Sequence, residues 1–170
     1  TGVITLGDSD TAVTIDGVST IGGTSTGQIT AGAINLNNSL TLGTLATRSN
    51  AMSLSSVTGP STGTADLTIV TAGAVTFGGV VGTNIGTLTI TNSGGITFNG
   101  TVSAGTIALA DSADTTTITF NDNLSVATAF TVNASAGANA FNVAINGTTN
   151  TIAGATTFAN TGTLALGNGS

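Results

Sequence analysis

The chain has 170 residues with one Lys or Arg, seven Asp or Glu, no His, no Cys and a formal net charge of −6. That balance excludes the basic footprint of a nucleic-acid binder and a polybasic membrane patch. With 39% apolar residues and a mean hydropathy of +0.45 the composition is not that of a disordered chain either.

Residues 1–45 carry two sets of short apolar runs. The first is Ile4/Leu6, Val13/Ile15 and Ile21; the second is Ile29, Ile34/Leu36 and Leu40/Leu42. The Asp8-Ser9-Asp10 tip and the Gly22–Gly27 stretch read as turns. Residues 46–66 form an irregular coil or loop holding Arg48, Met52 and Pro60. Leu54 or Val57 fills the core slot there, and Pro60, which has no amide proton to give a ladder, marks a loop or bulge. Residues 67–146 are the most regular part, and 147–170 resemble a shortened coil through Phe158, Leu164 and Leu166.

These runs share one period. Phe77, Phe98, Phe120 and Phe141 follow one another at steps of 21, 22 and 21 residues, with Asp111–Asp114 lengthening the middle step. Leu36 and Ile15 extend the same slot upstream, and a local match between Ile15–Gly22 and Leu36–Gly43 supports the register. The slot is preceded by Thr at Thr14, Thr76, Thr97, Thr119 and Thr157. It is followed by Asp16, Asn37, Gly78, Asn99, Asn121 and Asn142. A preceding apolar pair also recurs, as Leu67/Ile69, Leu88/Ile90, Ile107/Leu109 and Phe130/Val132. Self-similarity at a fixed spacing of this length marks a solenoid, propeller or array. Alternation turns Phe inward and its Thr neighbour outward, and Asn, Asp or Gly at the strand's end suits a turn.

Strands of three to five residues with a turn every six or seven do not suit tight hairpins. They suit coils that stack in parallel. The chain is therefore read as a single all-β unit over 1–170, a parallel β-helix or β-solenoid with about 21 residues and three strands per coil, in roughly eight coils. Stacking predicts an internal file of Phe77, Phe98, Phe120 and Phe141 and a ladder of amides along the Asn column. A transmembrane barrel is the rival for Gly/Thr-rich strands, but Trp and Tyr are absent and the strands fall short of a bilayer span.

Without His, Cys, Lys, Glu or Tyr neither a Ser-His-Asp nor a Cys-His arrangement can be assembled, so no catalytic residue, cofactor or metal ligand is expected. A β-helical polysaccharide lyase or hydrolase is disfavoured on the same ground. Asp8/Asp10 and Asp111/Asp114 are close enough in sequence to share a calcium ion, but solvated turn aspartates are favoured. Thr87-Leu88-Thr89-Ile90-Thr91 and Thr115–Thr119 resemble the Thr-x-Thr arrays of ice-binding β-solenoids. That array needs a second outward Thr, and the positions two before Thr76, Thr97, Thr119 and Thr157 are Ala74, Gly95, Thr117 and Ala155, so ice binding is a minor alternative.

Gly86–Ile90, Gly95-Ile96-Thr97-Phe98-Asn99-Gly100-Thr101-Val102 and Ala159–Leu164 resemble the strand repeats of large bacterial surface exoproteins. These are the autotransporter passengers and filamentous-haemagglutinin-like adhesins. The resemblance implies a right-handed parallel β-helix, export across an envelope, and a secreted or cell-surface role in adhesion or surface structure. It carries over no site residue, because these families have no fixed site motif. The chain lacks a secretory leader and end caps, which suggests a piece of a longer repetitive protein. The expected partners are its own flanking coils or further copies end to end, and a host or neighbouring cell surface. The first reading is the non-catalytic shaft of an adhesin; the second is a subunit of a self-assembling extracellular fibre or sheath.

Overall fold

A computed structural model describes residues 2–7, 10–22, 27–45, 47, 49–113, 115–133 and 140–167. Every strand in it is short or bent, and every strand pairs in parallel with its counterpart one coil away. The first coil is β1 (Ile4–Leu6), β2 (Val13–Ile15) and β3 (Ser19–Ile21). The second is β4 (Ile29–Ala31), β5 (Ile34–Leu36) and β6 (Leu40–Leu42), and the third β7 (Met52–Leu54), β8 (Val57–Thr58) and β9 (Ala65–Val70). In the next three coils the second and third strands fuse into one long strand. These are β10 (Val75–Phe77) with β11 (Val81–Asn92), β12 (Ile96–Phe98) with β13 (Val102–Leu109), and β14 (Thr117–Phe120) with β15 (Leu124–Val132). The seventh coil is β16 (Asn142–Ile145), β17 (Thr151–Ile152) and β18 (Ala155–Phe158), and β19 (Leu164–Leu166) begins an eighth.

The molecule is thus a β-solenoid of about seven turns. One face is an eight-stranded sheet in the order β1-β4-β7-β10-β12-β14-β16-β19; the other strands form an eleven-stranded sheet that wraps the remaining sides. Where β11 turns between those sides, Gly82 and Asn84 both take positive φ and the register with β13 shifts. This is a bulge that bends the strand without interrupting it.

Alternation within each strand explains the core. In β10 and β12 the outer two residues are buried and the central Thr faces out. The interior holds Leu, Ile, Val and five fully enclosed Phe rings: Phe77, Phe98, Phe120, Phe130 and Phe141. Fully burying each such side chain contributes about 1.5–3 kcal/mol relative to exposure.

The register shows which sequence columns are real. Phe77, Phe98 and Phe120 are opposite one another, and the slot continues upstream to Leu54, Ala31 and Leu6. Ile15 and Leu36 do pair with each other, but on a different side of the coil, in β2 and β5. Downstream, Phe120 meets Ile145 and not Phe141. From Ile4 through Ile29, Met52, Val75, Ile96, Ile118, Val143 and Leu164 the coil length varies between 21 and 25 residues. The longer coil after Phe120 displaces Phe141 from the strand. Its neighbour Asn142 pairs with Thr117, so Phe141 is buried at the corner ahead of β16. The recurring apolar pairs are in register throughout: Leu40/Leu42, Leu67/Ile69, Leu88/Ile90, Ile107/Leu109 and Phe130/Val132.

Candidate functional surface

Two files of small hydroxyl side chains run along the outside. On the eight-stranded face they are Thr5, Thr30, Ser53, Thr76, Thr97 and Thr119, ending in Ala144 and Ala165. Along the third strands they are Thr20, Thr41, Thr68, Thr89, Ala108, Thr131 and Thr157. Each sits between two inward positions, apolar on both sides except at Thr20 (after Ser19) and Thr157 (after Thr156), so strand alternation turns it to solvent. Thr157 therefore belongs to the second file and not with Thr76, Thr97 and Thr119. Reading the sequence around the Phe slot missed this second file. The residue inside each recurring apolar pair was the signal: Thr68, Thr89, Ala108 and Thr131.

Side-chain amides form ladders at two corners. At the end of the second strand, Asn37 donates to Asp16 at 2.7 Å. At the end of the first strand, Asn121 donates to Asn99 at 3.0 Å and Asn146 donates to Asn121 at 3.2 Å. The single column expected from the sequence is split between these corners. Asn142 is in neither ladder: its Oδ1 accepts from the backbone N–H and the hydroxyl of Thr163, both at 2.8 Å. The reason is the one that displaced Phe141, since the residue after Phe120 in the next coil's register is Asn146.

A third polar row is internal. Asn50, Thr71, Ser93 and Ser112 are buried where the third strand gives way to the next coil. Thr71 Oγ1 donates to the Asn50 carbonyl at 2.8 Å and accepts from the Gly73 N–H at 3.0 Å. Ser112 Oγ lies 2.8 Å from Ser93 Oγ and 2.9 Å from Thr116 Oγ1. The Thr71–Asn50 and Ser112–Ser93 bonds join coil to coil, the other two close the corners locally, and together they satisfy the buried hydroxyls.

The segment 46–66 places Met52 and Leu54 in the ladder between β4 and β10, with both side chains buried. Pro60 stands in a turn closed by the Gly63 N–H donating to its carbonyl at 2.9 Å, where no ladder bond is asked of it. Arg48, Asp8 and Asp114 lie outside the described residues, and with them both candidate calcium pairs. Among the described residues no three His, Cys, Asp or Glu side chains are placed to hold a metal ion. The Asp66 carboxylate accepts from the Thr87 N–H at 2.8 Å and so links adjacent coils. Among the described residues no helix is long and apolar enough to cross a membrane.

Exposed large apolar side chains occur at both ends of the described stack and, between them, at Leu45 and Val80. Val3 and Val18 are exposed at one end and Leu164 and Leu166 at the other. A hollow of about 320 Å³ opens beside the last coil, lined by Ile145, Asn150, Ile152, Leu166 and Gly167. Compared with known proteins, the chain matches no family model, no curated protein and no solved structure.

Proposed function

We propose that this segment is the non-catalytic structural shaft of a secreted or cell-surface bacterial adhesin. The observation that supports it is the uninterrupted stacking of inward apolar columns, from β1 through β19, beneath outer files of small hydroxyls. Such a stack gives reach and stiffness: seven rises of about 4.8 Å make a rod near 35 Å long. With a formal charge of −6 and a single Lys or Arg, little electrostatic patterning is offered to a charged ligand. Recognition is then the task of exposed loops, or of regions flanking the shaft that contact a host or neighbouring cell. The right hand of the coil is what the resemblance to bacterial surface exoproteins implies. The test is to delete whole coils from the gene in its native bacterium. Shortened surface projections that still carry the distal epitope support the shaft. Unchanged projections, or loss of binding with no change in length, count against it.

A second reading is favoured by the exposed Val3, Val18, Leu164 and Leu166. Further coils, whether of the same chain or of a second copy, would cover both ends, and head-to-tail contact of copies that does not close gives filaments. Sedimentation and electron microscopy distinguish the two: concentration-dependent fibres support assembly from copies. The two Thr files keep ice binding as a minor third reading. Thermal hysteresis in a solution of the segment would support it, and ordinary freezing would dismiss it.

A further inference from the structure

We propose that Asn99 is a site of spontaneous, structure-directed conversion to aspartate. The sequence has three Asn-Gly steps, at Asn99, Asn146 and Asn168, the last outside the described residues. In such a step the Gly nitrogen can reach the preceding side chain, because no Cβ stands in its way. Both described Asn-Gly steps sit in the same amide ladder, but at different rungs. The ladder's hydrogen bonds all point one way, and that direction separates the two residues chemically.

Asn99 is the bottom rung. Its Oδ1 accepts from Asn121 Nδ2 at 3.0 Å, while the preceding coil has Gly78 at that register position and so offers its Nδ2 no side-chain acceptor there. Asn99 is exposed, and the Gly100 N–H has no hydrogen-bond partner among the described residues. The Gly100 nitrogen, on losing its proton, attacks Cγ of Asn99. The oxyanion that forms on Oδ1 is met by the Asn121 donor already in place. The Cγ–Nδ2 bond then breaks and ammonia leaves. Water opens the resulting cyclic imide at one of its two carbonyls, giving aspartate or isoaspartate.

Asn146 is the top described rung and has the opposite bonding. Its Nδ2, the leaving group, donates to Asn121 Oδ1 at 3.2 Å, and no donor in the described residues meets its Oδ1. Gly147 is buried and Gly100 partly buried, and a Cβ on either would crowd the neighbouring coil, at 2.7 Å from Asn123 Cα and 2.6 Å from the Gly79 carbonyl carbon, so it is the direction of the amide bonds that separates the two sites. The product at position 99 is already present elsewhere in the fold. The other ladder ends at its bottom in Asp16, followed by Gly17, and accepts from Asn37 at 2.7 Å. An aspartate at 99 would accept from Asn121 in the same way, and no ladder bond would be lost. Isoaspartate would lengthen the main chain at that corner, whereas aspartate leaves the register as it is.

The experiment ages the folded full chain at mildly alkaline pH and follows both sites in one sample by peptide mapping and mass spectrometry. Asn99 is expected to convert at least about fivefold faster than Asn146, the margin one retained hydrogen bond gives. Asn121→Ala removes the donor to Asn99 and frees the Asn146 amide. With folding checked by circular dichroism, that variant should narrow the ratio from both sides. Asn99→Asp should fold and co-elute with the aged chain on an ion exchanger. Equal rates at Asn99 and Asn146, or a ratio that Asn121→Ala leaves unchanged, would overturn the proposal.

Discussion

The ring of Phe98 stacks on that of Phe120 with centroids 4.9 Å apart and planes 8° from parallel, and Phe77 stacks on its other side at the same distance. Beyond Phe120 the aromatic run leaves its column. Phe120 meets Phe130 edge-on at 6.1 Å, and Phe130 meets Phe158 edge-on at 5.3 Å, so the rings cross from the first strand to the third. Phe98 is the only member flanked by two parallel rings. Phe98→Ala is expected to cost about 3–5 kcal/mol and Phe98→Leu distinctly less, because Leu refills most of the cavity but loses both stacked contacts. Urea unfolding of the two variants checks the order. A loss under about 1 kcal/mol for Phe98→Ala would mean the column is not the core.

How far the sequence could be read depends on corner length. Where corners are uniform, from Val75 to Phe120, the period alone placed Phe77, Phe98 and Phe120 in register and set Thr76, Thr97 and Thr119 outside. The apolar pairs were legible over a longer range, because spacing within a strand is fixed by alternation and not by what precedes it. Phe141 failed because the coil before it is longer, so that Val143 and Ile145 take the strand and the ring is left at the corner. Ile15 and Leu36 failed because residues inward on different sides of a coil look alike in one dimension. The split of the Asn column has the same cause. The second outer file, with Thr68, Thr89, Ala108 and Thr131, lies inside the apolar pairs and away from the Phe slot, so the Phe spacing did not mark it.

The internal polar row predicts a cost out of proportion to its size. Thr71 is fully buried, and its hydroxyl both donates to Asn50 and accepts from the Gly73 N–H. Thr71→Val keeps the shape and removes both bonds at a buried site, one of them the bond made by the buried Gly73 N–H. The expected loss is about 1–3 kcal/mol by thermal or chemical unfolding. Thr89→Val, on the outer file, removes a solvated hydroxyl and should change stability by less than about 0.5 kcal/mol.

Two glycines with left-handed backbone separate conformational strain from collision. Gly63 has φ 65° and open space where a Cβ would stand. Gly63→Ala should therefore cost only the left-handed penalty, about 1–2 kcal/mol, and Gly63→Asn much less. Gly43 has φ 80°, and a Cβ there runs into the Val70 carbonyl of the next coil. Gly43→Ala should cost clearly more than Gly63→Ala, because coil spacing must open locally as well. Both are measured by denaturant midpoint.

Insertion of one residue tests the architecture most directly, because its effect depends on where alternation operates. A residue added between Ile96 and Thr97 shifts every later position of β12 to the opposite face, turning Thr97 inward and Phe98 outward. That removes Phe98 from between Phe77 and Phe120 and buries an unpartnered hydroxyl, a combined loss above about 4 kcal/mol that should prevent this coil from folding. The same residue added in the turn between Pro60 and Gly63 alters no strand. The corner between second and third strands already varies, from a step of five residues, Val102 to Ile107, to one of ten, Val57 to Leu67, and each added loop residue costs only a few tenths of a kcal/mol in closure entropy. Limited proteolysis should find the turn insertion as resistant as the parent chain and the strand insertion cleaved near β12. Equal resistance of the two would mean that the alternation of β12 does not hold this coil in the stack.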